Sequence, residues 1–296
     1  MNFKMRILVT GASGKTGLAV IHALAEKDPS VIIRAFVHRE RQCDIVREYG
    51  AAETITGDLT NPADIHRALE NVDAVYHICP TAEENEYEIG QLVYTAAAEA
   101  GVKLFVYHSV LHSIFSDLPH HEKKHRLEML ITEGSLPYVI LQPAALMQNL
   151  MNSREKILNE GVLMQRFFAG EDVRMNLVDL GDVAEAAAKV LTESGHEFAT
   201  YELCGPENLT EADIITALAK AVGKPVESRF IPDEMFAGQM RKAGKSETYI
   251  STLLTMFRHY QKQGFMGNSG VLQSLLGRKP TTLEEYLHKE FVRDNL

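Results

Sequence analysis

A chain of 296 residues that is 45% hydrophobic and 24% charged can bury a large core, which excludes disorder as its resting state. Its formal net charge of −10 comes with no Lys/Arg block, and this argues against a nucleic-acid surface, which rests on clustered cations. Cys43, Cys79 and Cys204 lie far apart in no CxxC or Cys/His spacing, so neither a disulfide framework nor a zinc site is expected and a reducing compartment fits.

The opening MNFKMRILVTG runs into an apolar strand without a cleavage site, and no apolar stretch reaches bilayer length. The expected location is therefore the cytoplasm, away from a membrane. Strand-like and helix-like segments then alternate: a strand at Arg6–Thr10, a helix at Thr16–Lys27, a strand at Val31–Val37, a helix at Glu40–Tyr49, and a strand at Glu53–Thr56. Asn61 caps a helix over Pro62–Leu69. Ala74–Ile78 is the fourth strand, Glu86–Ala100 a helix stopped by Gly101, Leu104–His108 the fifth strand, His120–Thr132 a helix, and Tyr138–Leu141 the sixth strand. This alternation predicts an α/β fold, a doubly wound parallel sheet of the Rossmann type.

Regularity weakens beyond that point. Strands are expected at Leu163–Phe168, Met175–Val178 and Tyr201–Leu203, with a helix at Gly181–Glu193 and a strand end at Gly205-Pro206. The remainder reads as helical, over Thr210–Val222, Pro232–Ala243, Ser246–Gln263 and Thr282–Phe291. The domains expected are a nucleotide-binding domain over 1–150, to which 175–206 returns, and a smaller C-terminal lobe over 151–174 and 207–296.

The first strand is followed by Gly11-Ala-Ser13-Gly14-Lys15-Thr16-Gly17 and then an apolar helix, the context in which a glycine motif binds a dinucleotide. Gly11 permits the tight turn, Gly14 lets backbone approach a pyrophosphate, and Gly17 lets the helix pack closely. The anion rests on the helix N-terminus. Where an NAD site carries an acid for the ribose 2′-hydroxyl, this chain has Val37-His38-Arg39-Glu40. Arg39, with His38 beside it, suits a 2′-phosphate and points to NADP(H), while Glu40 is a counter-signal for NAD. Asp58 and Leu59 follow the third strand, where a carboxylate either meets the adenine or caps the next turn.

These pieces, with Asp73-Ala-Val-Tyr-His77, Pro137-Tyr-Val-Ile-Leu-Gln-Pro143, Val178-Asp179-Leu-Gly-Asp182-Val-Ala, Tyr201-Glu-Leu-Cys-Gly205-Pro206 and Gly277-Arg-Lys-Pro280, resemble in their order the NmrA-like family of atypical short-chain dehydrogenase/reductases. The resemblance implies a Rossmann domain with a small substrate lobe and NADP(H) as ligand. It also implies one of two activities: reduction of a small quinone-like, azo or carbonyl acceptor, or nucleotide-dependent regulation of a protein partner with little turnover. No stretch marks an oligomer interface.

Active short-chain reductases carry a proton-donating Tyr, a Lys four residues later and a Ser on the fifth strand. Alignment by element puts His120 at the Tyr position and Lys124 at the Lys position, with Ser109 the nearest hydroxyl to the Ser position. Leu127, Leu130 and Ile131 define the inward face of that helix, and Lys124, Lys123 and His120 step back onto it. His121 and His125 fall toward the other side, as solvated histidines. An imidazole titrating near pH ~6.5 is a fit proton donor at neutral pH. The open alternative for His120 is to bind the ribose or close the helix end. Cys79, Pro80 and Pro143 are expected against the nicotinamide, at the carboxyl ends of the strands. Thr81, Ser109, Met147 and Asn149 are expected to face the substrate, with Met151, Met164, Phe167 and Phe168 as an apolar wall or as ordinary core.

Overall fold

The computed structural model describes residues 4–80 and 82–292. Its first half is built from β1 (Arg6–Val9), α1 (Lys15–Lys27), β2 (Ile32–Val37), a 3-10 turn (Glu40–Gln42) running into α2 (Cys43–Glu48), β3 (Glu53–Thr56), α3 (Pro62–Leu69), β4 (Ala74–His77), α4 (Glu86–Glu99), β5 (Leu104–His108), α5 (Pro119–Glu133) and β6 (Tyr138–Pro143). There follow β7 (Ala145–Leu146), a 3-10 segment (Met147–Ser153), α6 (Arg154–Glu160), β8 (Val162–Gln165), β9 (Met175–Val178), α7 (Leu180–Thr192) and β10 (Ala199–Leu203). The chain ends with β11 (Asn208–Leu209), α8 (Glu211–Val222), β12 (Glu227–Phe230), α9 (Asp233–Lys242), α10 (Glu247–Gln263), α11 (Gly270–Leu276) and α12 (Leu283–Val292).

Seven strands form the main sheet in the order β10-β6-β5-β4-β1-β2-β3, and β1 to β6 pair in parallel throughout. Strand order reverses at β1, which lies between β2 and β4, so a crevice opens where the carboxyl ends of β1 and β4 diverge. The strands read as near-continuous apolar runs because both faces of such a sheet are covered. Leu8, Phe36, Val75, Phe105 and Ile140 pack on one face with Ile65 and Leu69 of α3, Val93 and Ala97 of α4, and Leu127 and Ile131 of α5. The alternate residues Ile7, Val9, Ala35, Val106 and Val139 are buried on the other.

The chain divides into two compact units. One comprises Met1–Ser116, His121–Gln142 and Val183–Tyr201, and the other Asp117–His120, Pro143–Asp182 and Glu202–Leu296. The second unit carries a three-stranded sheet, β11-β9-β7, and a two-stranded one, β12-β8. Sequence motifs act as ties in it: buried Asp182 accepts hydrogen bonds from Arg278 (2.7 Å), from the Thr281 amide (2.6 Å) and from the Thr281 hydroxyl (3.0 Å). The Asn176 amide in turn donates to the carbonyls of Gly205 and Glu207 at 3.1 Å and accepts from the Gly205 N–H at 2.8 Å.

Two expected elements are shorter than their sequences suggested. The helix expected over 40–49 begins as a 3-10 turn because the Gln42 side chain accepts from the Arg39 amide at 2.8 Å and holds that turn tight. The strand expected over 163–168 stops at Gln165, whose side chain bonds both the amide and the carbonyl of Phe168 and turns the chain. Among the described residues no helix is long and apolar enough to cross a membrane.

Candidate functional site

The cradle formed by the glycine turn leaves no room for a side chain at Gly11 or Gly17. Gly11 adopts φ +58, and a Cβ there would lie 2.8 Å from both the side chain and the carbonyl oxygen of Ile78, just past β4. A Cβ at Gly17 would strike Ala12, 2.6 Å from its carbonyl oxygen. What Gly17 permits is therefore closure of the turn upon its own helix. Gly14 is the N-cap of α1, and no side chain caps the helix or places an acid in its first turn. Free N–H groups and the positive end of the helix dipole face outward there, beside exposed Lys15 and half-buried Ser13; Thr16 is buried. These features fit a dinucleotide pyrophosphate.

Thr10 pins the floor of this crevice. Its hydroxyl meets His77 Nδ1 at 2.9 Å and accepts from the Ile78 amide at 3.0 Å, and its own amide donates to the Tyr76 carbonyl. At the end of β2, His38 and Arg39 are exposed. Gln42 joins this rim to the cradle: it accepts from the Arg39 N–H and donates through Nε2 to Ser13 Oγ at 2.7 Å. Glu40, the residue that would favour NAD, turns away to accept from Thr56 Oγ1 at 2.9 Å. Asp58 closes its own turn, taking the Thr60 amide and hydroxyl at 2.8 Å each, and these bonds hold its carboxyl below the usual range. Leu59 packs half-buried against the core.

Lys124 is buried, 5% exposed, on α5. Its ammonium lies 2.6 Å from Glu86 Oε1, a carboxylate with no exposure, and 5.5 Å from the centre of the Tyr107 ring, and it donates to the His108 carbonyl at 3.4 Å. Gly90 explains the meeting, because any side chain there would collide with Leu127, so α4 and α5 touch backbone to side chain. Glu86 and Lys124 stand one turn earlier on their helices, at i−4 and i−3 of that contact. His77 stacks on Tyr107 at 6.0 Å and 19°. Burial, with the Lys124 charge second, pushes both His77 and His108 down to about 3, and burial raises the Cys79 thiol and the Tyr107 phenol. The imidazoles, the thiol and the phenol are thus neutral around neutral pH.

Ser109 is buried and its hydroxyl donates to Glu128, which also accepts from Ser113 Oγ at 2.6 Å and from Gln142 Nε2 at 2.8 Å. One carboxylate on α5 therefore gathers the ends of β5 and β6. His120 is buried in the first turn of α5. His121, expected in solvent, has no exposure: the segment after β5 folds over the helix start, so that Nδ1 meets the His112 carbonyl at 2.9 Å and the ring stacks on Phe115. A helical wheel counts neighbours on the helix and the sheet and has no access to such a covering segment. Lys123 is half-buried and donates to the Glu83 carbonyl at 3.1 Å. Cys79 is buried and Pro80 exposed, while Thr81 lies outside the described residues.

In the second unit, Pro143 and Met147 are buried. A small cavity there is lined by Leu146, Asn149, Met164, Phe167, Phe168 and Met175, among others. Asn149, Met164 and the two phenylalanines thus gather at one place and Met147 joins the core instead. Among the described residues no group of three His, Cys, Asp or Glu is placed to hold a metal ion.

The sequence matches the NmrA-like family over residues 3–287. The chain belongs to the NmrA-like family. It is 28% identical over 292 residues to quinone oxidoreductase 2 of Escherichia coli K12, covering 98% of this chain and 100% of that protein. The NADPH complex of the Escherichia coli NADPH-dependent quinone oxidoreductase QOR2 superposes with a TM-score of 0.82 at 27% identity, covering 96% and 99% of the two chains. Triphenylmethane reductase from Citrobacter sp., complexed with NADP(H), gives 0.81 at 27% identity with the same coverage.

Within this NmrA-like chain, Glu86, Gln42, Thr10 and Glu128 are the site residues that motif reading passed over. Glu86 had a signal, since it shares the buried stripe of Gly90, Val93 and Ala97 at helical spacing, where a charge needs a partner. Gln42 had none, because its two bonds join positions remote from any periodic pattern.

Proposed function

We propose that this NmrA-like protein is an NADPH-dependent oxidoreductase that passes hydride to a small quinone-like or carbonyl acceptor. The observation that carries the reading is the uncapped N-terminus of α1, framed by Gly11 and Gly14 and bordered by exposed Arg39 and His38. The quinone and triphenylmethane reductases that the chain resembles over nearly its whole length support it. NADPH, when bound, supplies the hydride. The turn amides and α1 hold the pyrophosphate, and Arg39 with His38 holds the 2′-phosphate in charge-assisted hydrogen bonds. Asp58 and Leu59 border the adenine, and Cys79, Pro80 and Pro143 border the nicotinamide. Lys124 holds the nicotinamide ribose, and His120 delivers the proton. Ser109, bound to Glu128, acts by fixing the end of β5. Within the second unit, Asn149, Met164 and Phe167 line an apolar cavity with one amide, a lining that suits a flat acceptor.

The test is anaerobic NADPH oxidation followed at 340 nm over quinones, aldehydes, ketones and azo dyes, with Lys124→Ala and Arg39→Ala beside the wild type. Acceptor-dependent turnover is expected. Lys124→Ala should lower kcat/KM by about a hundredfold or more, and Arg39→Ala should raise the KM for NADPH about tenfold, the size of one lost charge-assisted hydrogen bond. NADPH binding without reduction of any acceptor would sink the enzyme reading. It would favour a regulator working through a protein partner, the reading that the His120 replacement of Tyr also suits.

A further inference from the structure

We propose that Glu86 is a positioning residue of this site, the buried counter-charge that holds the Lys124 ammonium and aims it at the carboxyl end of β5. The proposal rests on the assignment of Lys124 to the nucleotide site. Two charged groups this deeply buried are costly to remove from water, and a pair survives there when geometry and hydrogen bonds compensate. Here the helix contact at Gly90 and Leu127 sets the geometry, the 2.6 Å ion pair supplies the attraction, and the His108 carbonyl takes a second ammonium proton.

The surroundings leave Glu86 as the pair's electrostatic partner. From β4 and the segment after it, His77 and Cys79 face Lys124, and from β5 Tyr107 and His108 do. All four are held neutral by burial, and on α5 itself the buried His120 stands one turn before Lys124. Farther out, Glu83 and Lys123 bear on Cys79 with opposite signs, and Glu128 bears on Tyr107 but is bound to Ser109, Ser113 and Gln142. Thus the counter-charge in direct contact with Lys124 comes from α4, across a helix contact.

Glu86→Gln keeps the shape and removes the charge. The buried ammonium then lacks a counter-ion and sheds its proton at lower pH. In the apo protein this has a signature that packing alone does not produce. A lysine that titrates lower in the folded chain than in the unfolded one, near ~10.4, makes stability rise with pH between those two values. The melting-temperature gap between wild type and Glu86→Gln is therefore expected to narrow from pH 7 to pH 10. A gap that stays constant overturns the proposal.

The second arm measures NADPH dissociation constants by fluorescence over the same range. Glu86→Gln should lose affinity for NADPH as the pH rises through that range, while wild type holds its affinity over the same interval and Lys124→Met shows no such dependence. Glu86→Asp, which retains the charge, should lie closer to wild type, and it serves if Glu86→Gln does not fold. A profile in Glu86→Gln that coincides with wild type overturns the role of Glu86. A narrowing gap in the melts, with Lys124→Met leaving NADPH binding unchanged at every pH, would instead overturn the assignment of Lys124.

Discussion

His77 and His108 illustrate what a single buried side chain does to the pH range of a protein. His77 bonds the Thr10 hydroxyl at 2.9 Å and His108 the Tyr76 phenol at 2.6 Å, both through Nδ1 and both neutral, because burial pushes each imidazole down to about 3. In the unfolded chain a histidine titrates near ~6.5, so between about pH 6.5 and 3 the unfolded state binds protons that the native state refuses. Their contribution to stability is full above that window and is lost as the pH falls through it. The urea midpoint is expected to drop between pH 7 and pH 5, before the carboxylates titrate, and to drop less in His108→Gln. An equal drop in both would place the acid sensitivity elsewhere. Neither histidine was legible as buried and neutral from motif reading, which weighed residue types and spacing. Both strands are short apolar runs, however, and a histidine that completes one is subject to the same burial.

At the scale of elements, the half of the chain built from β1 to β6 was legible nearly to the residue. A parallel strand buried on both faces writes itself as an apolar run, and Asn61-Pro62 and Gly101 mark helix ends chemically. The missed elements lack such marks. β12, Glu227–Phe230, is largely exposed and reads Glu-Ser-Arg-Phe, so it shows no alternation. α6 and α11 have seven residues each, two turns that give periodicity little to repeat. The 3-10 turn at Glu40–Gln42 was missed for another reason: its shape is set by a side chain that reaches both Arg39 and Ser13. Gln42→Ala should free the Arg39 backbone from the cradle and reduce the preference for NADPH over NADH about fivefold, the worth of one hydrogen bond. Unchanged dissociation constants for both nucleotides would show that the rim holds itself.

For the whole molecule, the fold class and the nucleotide were readable because each rests on one contiguous signal, whereas the Glu86–Lys124 pair depends on two helices meeting at a glycine. Binding to the native state alone must raise the melting temperature by mass action. At about a hundredfold excess over the dissociation constant NADPH stabilises by about 2.7 kcal/mol, which for a chain of this length is about 5 °C. NADH at the same concentration should do less, and a larger shift with NADH would reverse the assigned specificity. The three cysteines bear on a different property. Cys43, Cys79 and Cys204 are all buried, burial raises the Cys79 thiol, and burial pushes Cys204 up to about 12. Quinones are electrophiles that arylate thiolates, and a thiol that is both covered and protonated is a poor target. Incubation with benzoquinone should leave the folded protein free of adducts by intact mass, while the same treatment in urea adds up to three. Burial of all three thiols would thus leave the folded chain a poor target for the very electrophiles proposed as its acceptors.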